Sequence, residues 1–168
     1  MFNEYTGNRQ FDLQLNRTFA PILDRVGMDT IATATLPHVR STRQITALAQ
    51  SLAERFSSEG DADAAWRLYE LAAFYLGADD PRKRSFIDAM SASFDEAHRG
   101  LALTRHAVPY RGGELTAMLW EADPTHRAQA PEGTPRTLIM MNGFDGYAEG
   151  IIDFASHFPT RPFDIIAF

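Results

Sequence analysis

The stretch Thr137-Leu138-Ile139-Met140-Met141-Asn142-Gly143-Phe144-Asp145-Gly146-Tyr147-Ala148-Glu149-Gly150 decides the fold. Leu138 to Met141 is an unbroken apolar run, the pattern of a strand covered on both faces rather than the alternation of a half-exposed one. The run breaks at Asn142-Gly143 and resumes with helical spacing, so the reading is a buried strand, a sharp turn and a helix start. Asn-Gly can also mark a hairpin, but no second strand follows it here. Such a turn lies at the carboxyl end of a parallel strand, where open α/β sheets bind ligands.

Downstream, a short helix from about Tyr147 to Phe158 ends at Pro159-Thr160-Arg161-Pro162. Phe163 to Phe168 is a second buried-strand pattern, and strand, helix, strand is a right-handed βαβ crossover. Upstream, Leu101 to Val108 and Leu115 to Glu121 alternate with period 2 around Arg111-Gly112-Gly113, which predicts a β-hairpin. Asp123 to Arg136, with three prolines and a glycine, reads as a surface loop. Two parallel strands and a hairpin leave an apolar sheet edge without a neighbour, so the sheet is expected to be incomplete at its C-terminal side.

Residues before Gly100 are helical in pattern. Leu15, Phe19, Ile22 and Val26 share one helix face, with Pro21 as a kink or restart, and Gly27 to Arg40 reads as a connection. Ser41-Thr42-Arg43-Gln44 fits a capping box, followed by the stripe Ile45, Leu48, Ala49, Leu52 and Phe56. Asp61 caps a helix whose apolar residues cover most of its circumference, the expected centre of a bundle. Asp80-Pro81 opens a last helix with Ile87, Met90, Phe94 and Ala97 on one stripe. The expected organisation is a helical domain over residues 1–100 and a sheet domain over 101–168.

Composition bounds the chemistry. With 168 residues, 45% hydrophobic content and 12 Phe, the chain can bury a substantial core. A net charge of −6 without a Lys/Arg cluster argues against nucleic-acid binding. The lack of Cys removes disulfides, thiolate nucleophiles and zinc–thiolate sites, and fits a reducing compartment. No basic leader or apolar run of membrane-spanning length is present, so the expectation is a soluble cytoplasmic protein without membrane association. His38, His98, His106, His126 and His157 are scattered without ligand spacing, and neither a metal nor a cofactor is expected. Arg82-Lys83-Arg84 opens a helix, where positive charge is unfavourable, so pairing with Asp79 or Asp80 or a solvated face is expected.

The helical N-terminal part, the hairpin at Val108-Pro109-Tyr110, and the strand ending in Asn142-Gly143-Phe144-Asp145-Gly146 resemble the amino-terminal portion of α/β-hydrolases that carry an N-terminal helical cap. Asp79-Asp80-Pro81-Arg82-Lys83-Arg84 between two helices resembles that cap. The esterase-like, acyl-peptidase-like and dihydroxypseudooxynicotine hydrolase-like members are meant. The resemblance implies an α/β fold: a helical cap, then a β-hairpin and the first βαβ unit of a hydrolase sheet.

It also implies a serine hydrolase that cleaves an ester, an amide or a C–C bond next to a carbonyl in a small-molecule substrate. The Phe144 N–H would be one oxyanion-hole donor, supported by Asn142, Gly143, Asp145 and Gly146. Gly143 would permit the close turn, and Asp145 would cap the helix or fix the loop. Preorganised donors of this kind are each worth roughly 2.7–4 kcal/mol in acyl transfer. A plain tight βα turn with glycines for geometry is the competing reading of the same residues. Phe74 and Tyr147 are candidate substrate-lining residues, whereas Trp66, Tyr69 and Tyr75 at helical spacing read as core.

The chain contains no Gly-x-Ser-x-Gly elbow, and Ser156-His157, adjacent on a helix, cannot face each other. The nucleophile, acid and His are therefore expected outside these residues, and the chain alone is expected to be inactive. The alternative function is a non-catalytic helical binding or assembly module that completes its sheet with a partner chain, with association into homo-oligomers as one form of it.

Overall fold

A computed structural model describes residues 2–129, 133–134, 136–143 and 146–168. They form two compact units, Met1–Ala97 and His98–Phe168, of mixed α/β content.

In the first unit, helix α1 (Arg9–Phe19) begins at Asn8, whose side chain accepts hydrogen bonds from the Gln10 and Phe11 N–H groups. Pro21 turns the chain into a single 3-10 turn, Ala20–Ile22. Leu15, Phe19 and Ile22 are fully buried, but Val26 is 89% exposed, because the helical phase linking these four residues is lost after Phe19. The segment expected as a plain connection is helical: α2 (Met28–Thr30) runs on into a π-helical turn, Ile31–Thr35, and a 3-10 turn, Leu36–His38. The wide π turn breaks the 3.6-residue period, which is why no stripe is visible there, while Met28 and Leu36 anchor the segment in the core.

Helix α3 (Thr42–Glu59) is capped by Ser41, whose hydroxyl accepts from the Gln44 N–H at 3.3 Å. The Gln44 side chain returns its bond one residue earlier than a standard capping box, accepting from the Arg40 N–H at 2.7 Å. Gly60, at φ 81°, ends the helix in the left-handed conformation. Asp61 then starts α4 (Ala62–Phe74), accepting from the Ala64 N–H at 3.0 Å and from Arg25 Nε at 2.8 Å. Helix α4 packs against both α3 and α5 (Pro81–Ala97), so it is the centre of the bundle. Its Ala65, Leu68, Leu71 and Ala72 join Leu15, Phe19, Ile45, Leu52 and Phe56 in one core. The basic run at the start of α5 is absorbed locally. Arg82 bonds Asp80 at 2.7 Å, Lys83 Nζ donates to the Leu76 carbonyl at 2.9 Å, and Arg84 pairs with Asp88 at 2.9 Å.

The second unit is a four-stranded sheet in the order β1-β2-β4-β3, with one helix. Strands β1 (Leu103–Tyr110) and β2 (Gly113–Trp120) form the hairpin. Its loop is the two residues Arg111 (φ 46°) and Gly112 (φ 80°), both left-handed as a type I′ turn requires. Strand β4 (Asp164–Ala167) lies antiparallel to β2 and parallel to β3 (Thr137–Met140), and helix α6 (Ala148–Ser156) connects β3 to β4.

Register assigns the faces, because paired residues share a side and successive residues alternate. Met118, Trp120, Ile165 and Ala167 lie on one face and are buried; α6 packs against β2 and β4 there. On the opposite face lie Leu119, Ile166, Ile139 and, beyond β3, Met141, with Ile139 64% and Met141 78% exposed. The expectation that Leu138 to Met141 is a strand buried on both faces is thus corrected. β3 is an edge strand with β4 on one side, and Leu138 is also 40% exposed. An apolar run specifies the strand, but only neighbours bury it.

Candidate functional site

The turn after β3 is organised by Asn142. Its side-chain oxygen accepts from the Gly143 N–H at 2.9 Å, and its amide Nδ2 donates to the Tyr147 carbonyl at 3.0 Å. The Gly146 N–H donates to the Gly143 carbonyl at 3.1 Å, and the Gly150 N–H to that of Tyr147 at 3.2 Å. The Asn142 amide therefore fastens the end of β3 to the residue that precedes α6. A Cβ at Gly146 would run into that amide, so Gly146 is the glycine this turn requires. Gly143, expected to permit the close turn, has open space around a hypothetical Cβ and no positive φ. Its N–H is already committed to Asn142.

Phe144, the expected oxyanion donor, and Asp145, the expected cap, lie outside the described residues. Asn142, Gly143, Gly146 and Tyr147 are brought together at the carboxyl end of β3. Phe74 is the last residue of α4 in the other unit, its ring edge-to-face with Tyr75 at 4.8 Å.

Two carboxylates in the sheet unit escaped sequence reasoning. Glu149, in the first turn of α6, is 4% exposed and accepts from Arg105 Nη1 at 2.9 Å, tying the helix to β1. A negative charge there also suits the helix dipole. Asp164, at the start of β4, accepts from the Ala122 N–H at 2.7 Å and from Arg127 Nη2 at 2.8 Å. Both look like surface residues in the sequence, since each partner is 37 or more residues away. Further along α6, Asp153 stands 3.8 Å from His98. Ser156 and His157 do not face each other. The Ser156 hydroxyl donates to the Asp153 carbonyl at 2.6 Å and His157 Nδ1 lies 2.8 Å from the same oxygen, so both serve the end of the helix. Among the described residues no group of three or more His, Asp or Glu side chains could hold a metal ion, and no helix is long and apolar enough to cross a membrane.

No model of a protein family matches this chain, and no curated protein matches it. Among solved structures it is similar to AbyA5, at 21% identity and a TM-score of 0.55 over 76% of this chain and 36% of that one. It is also similar to a structure described as AbyA5 Wildtype, at 20% identity and a TM-score of 0.56 over 90% of this chain and 43% of that one. The chain thus spans well under half the length of the solved structures it matches, and the likeness concerns the fold alone. The resemblance to α/β-hydrolases with a helical cap is overturned by this finding: the structural neighbours are AbyA5, a non-hydrolase protein, and no family or curated match supports a hydrolase. What stands is the coarser α/β architecture of helices and a mixed sheet.

Proposed function

We propose that this chain is a non-catalytic assembly module that extends its sheet by pairing the β3 edge with the same edge of a second copy. The observation that supports the reading is the unprotected state of β3. Carbonyls of Arg136 and Met140 accept from β4, so alternation turns the N–H and C=O of Ile139 outward, and the Ile139 side chain is 64% exposed. Thr137–Met140 carries no charge and no proline, the devices that blunt natural edges. The other edge of the same sheet carries both, in Arg105 and Pro109. Antiparallel pairing of two β3 strands is self-complementary, as a two-fold interface requires. Pairing Ile139 with Ile139 of the second copy would set each Arg136 opposite an uncharged Asn142, so no like charges meet.

Sedimentation velocity over a range of concentrations tests this. A dimer that grows with concentration in the unaltered chain, is lost in Ile139→Lys and persists when Ala107 on the opposite edge becomes Lys supports the reading. A monomer throughout, or a dimer indifferent to Ile139→Lys, overturns it.

A further inference from the structure

In the helical unit the amino-terminal segment folds back along α1 and leaves a groove between the two. The Asn3 N–H donates to Asn16 Oδ1 at 2.9 Å, and Asn16 Nδ2 donates in return to the Asn3 carbonyl at 2.8 Å. Tyr5, buried edge-to-face with Phe19, pins the same segment to the core. The groove has a volume of about 900 Å³ and is lined by Phe2 and Glu4 from the segment and by Arg9, Asp12 and Leu13 from the helix. Its walls are thus held in place before anything binds, and its size suits a small organic molecule.

Asp12 is the unusual member of this set. It is 1% exposed, and the two bonds it accepts, from the Thr6 N–H and the Thr6 hydroxyl at 2.8 Å each, both fall on Oδ1. Among the described residues no donor reaches Oδ2. Buried carboxylate oxygens are normally hydrogen-bonded, so one left over on a groove wall marks a place for a donor from outside. Arg9 does not fill it, since neither Arg9 nor Glu4 forms an ion pair or a side-chain hydrogen bond among the described residues. Two carboxylates against one guanidinium leave the groove with an excess of negative charge. The N–H groups of Gln10, Phe11 and Asp12 are already taken by Asn8, so the helix end offers none of them to an anion. Phe2 and Leu13, 51% and 52% exposed, supply the apolar walls, and a ring face also attracts a cation.

We infer that this groove binds an organic primary amine, whose ammonium donates to Asp12 Oδ2 and is balanced by the Glu4 charge while its apolar body lies against Phe2 and Leu13. The site lies within the helical unit and is independent of pairing at β3.

Phenethylamine titrated into the full chain, with backbone amide resonances followed by NMR, tests the inference. Saturable shifts concentrated in residues 2–13 are expected. Asp12→Asn keeps an oxygen for Thr6 and turns the Oδ2 position into a donor, so binding should weaken about tenfold or more, as loss of a charge-assisted hydrogen bond requires. 2-Phenylethanol, with the same apolar body and no charge, should bind at least about tenfold more weakly than the amine. Phenylalanine binding more tightly than phenethylamine would assign the ligand's carboxylate to Arg9, and binding no more tightly would mark a site for simple amines. Should Asp12→Asn fail to fold, Glu4→Gln and Phe2→Ala alter exposed side chains, and several-fold weaker binding is expected in each. No saturable shift with the amine, equal affinity in folded Asp12→Asn, unchanged affinity in both Glu4→Gln and Phe2→Ala, or 2-phenylethanol binding as well as phenethylamine overturns the inference.

Discussion

The helical unit and the sheet unit treat their apolar residues differently. In the first, Leu15, Phe19, Ile45, Leu68 and Leu71 come from three helices and are 3% exposed or less. In the second, Trp120, Met118 and Ile165 are buried on the face that carries α6, while Ile139 and Met141 on the other face stand open. A helix can bury its single stripe against two neighbours, and α4 has α3 and α5. A sheet has two faces and two edges to cover, and one helix covers one face. The units differ less in composition than in how many surfaces each has to close.

The largest effect should come from opening the closed core. Phe19→Ala removes a fully buried ring at the end of α1, edge-to-face with Tyr5 at 6.3 Å, and should cost about 3–5 kcal/mol. Chemical denaturation followed by far-ultraviolet circular dichroism reads it, because α1, α3, α4 and α5 dominate the helical signal. A loss below about 1 kcal/mol would mean that the helical unit is as loosely closed as the outer face of the sheet.

The next effect belongs to the covered face of the sheet. Glu149→Gln leaves Arg105 facing a neutral amide in a site where the acid is 4% exposed. Breaking a buried pair by altering one partner costs about 3–5 kcal/mol at full burial. The Arg105 side chain retains 30% exposure, so a loss of about 2 kcal/mol is expected, concentrated in amide exchange of α6 and β1. Equal loss in α3 and α4 would show that the two units unfold together.

Gly146→Ala should cost about 1–3 kcal/mol by forcing a methyl against the Asn142 amide. Asn142→Gly in the same chain should recover part of that loss, and Gly143→Ala should be much milder, since nothing stands within 4 Å of its Cβ position. Thermal unfolding of the three variants separates the two glycines.

How much of this the sequence discloses follows the range of the interactions. Caps at Ser41 and Asp61, the hairpin at Arg111-Gly112 and the β3-α6-β4 crossover are set within a few residues or by period, and they are legible. The helical turns from Met28 to His38 are not, because a π turn has no stripe to display. Gly146 hid behind Gly143: the sequence shows two glycines in a turn but not which of them the Asn142 side chain leans on. Arg105 with Glu149 and Arg127 with Asp164 pair across the sheet unit, and no local pattern announces either. The hydrolase resemblance rested on a helical segment, a hairpin and a short glycine turn, features of architecture that many α/β chains share.

The smallest expected effect is at the open edge, and it probes the comparison most directly. Ile139→Thr keeps a β-branched side chain that suits a strand and replaces its ethyl branch by a hydroxyl on a residue already 64% exposed. At concentrations where the chain is monomeric, stability should change by no more than about 0.5 kcal/mol. Raising the concentration should then separate the two proteins, because strand pairing at β3 would bury that ethyl branch in the unaltered chain alone and link its stability to association. A loss of about 1–2 kcal/mol that is independent of concentration would place Ile139 inside a covered surface of the monomer. The sheet unit would then close its second face much as the helical unit closes its core, and the strand edge would have nothing left to recruit.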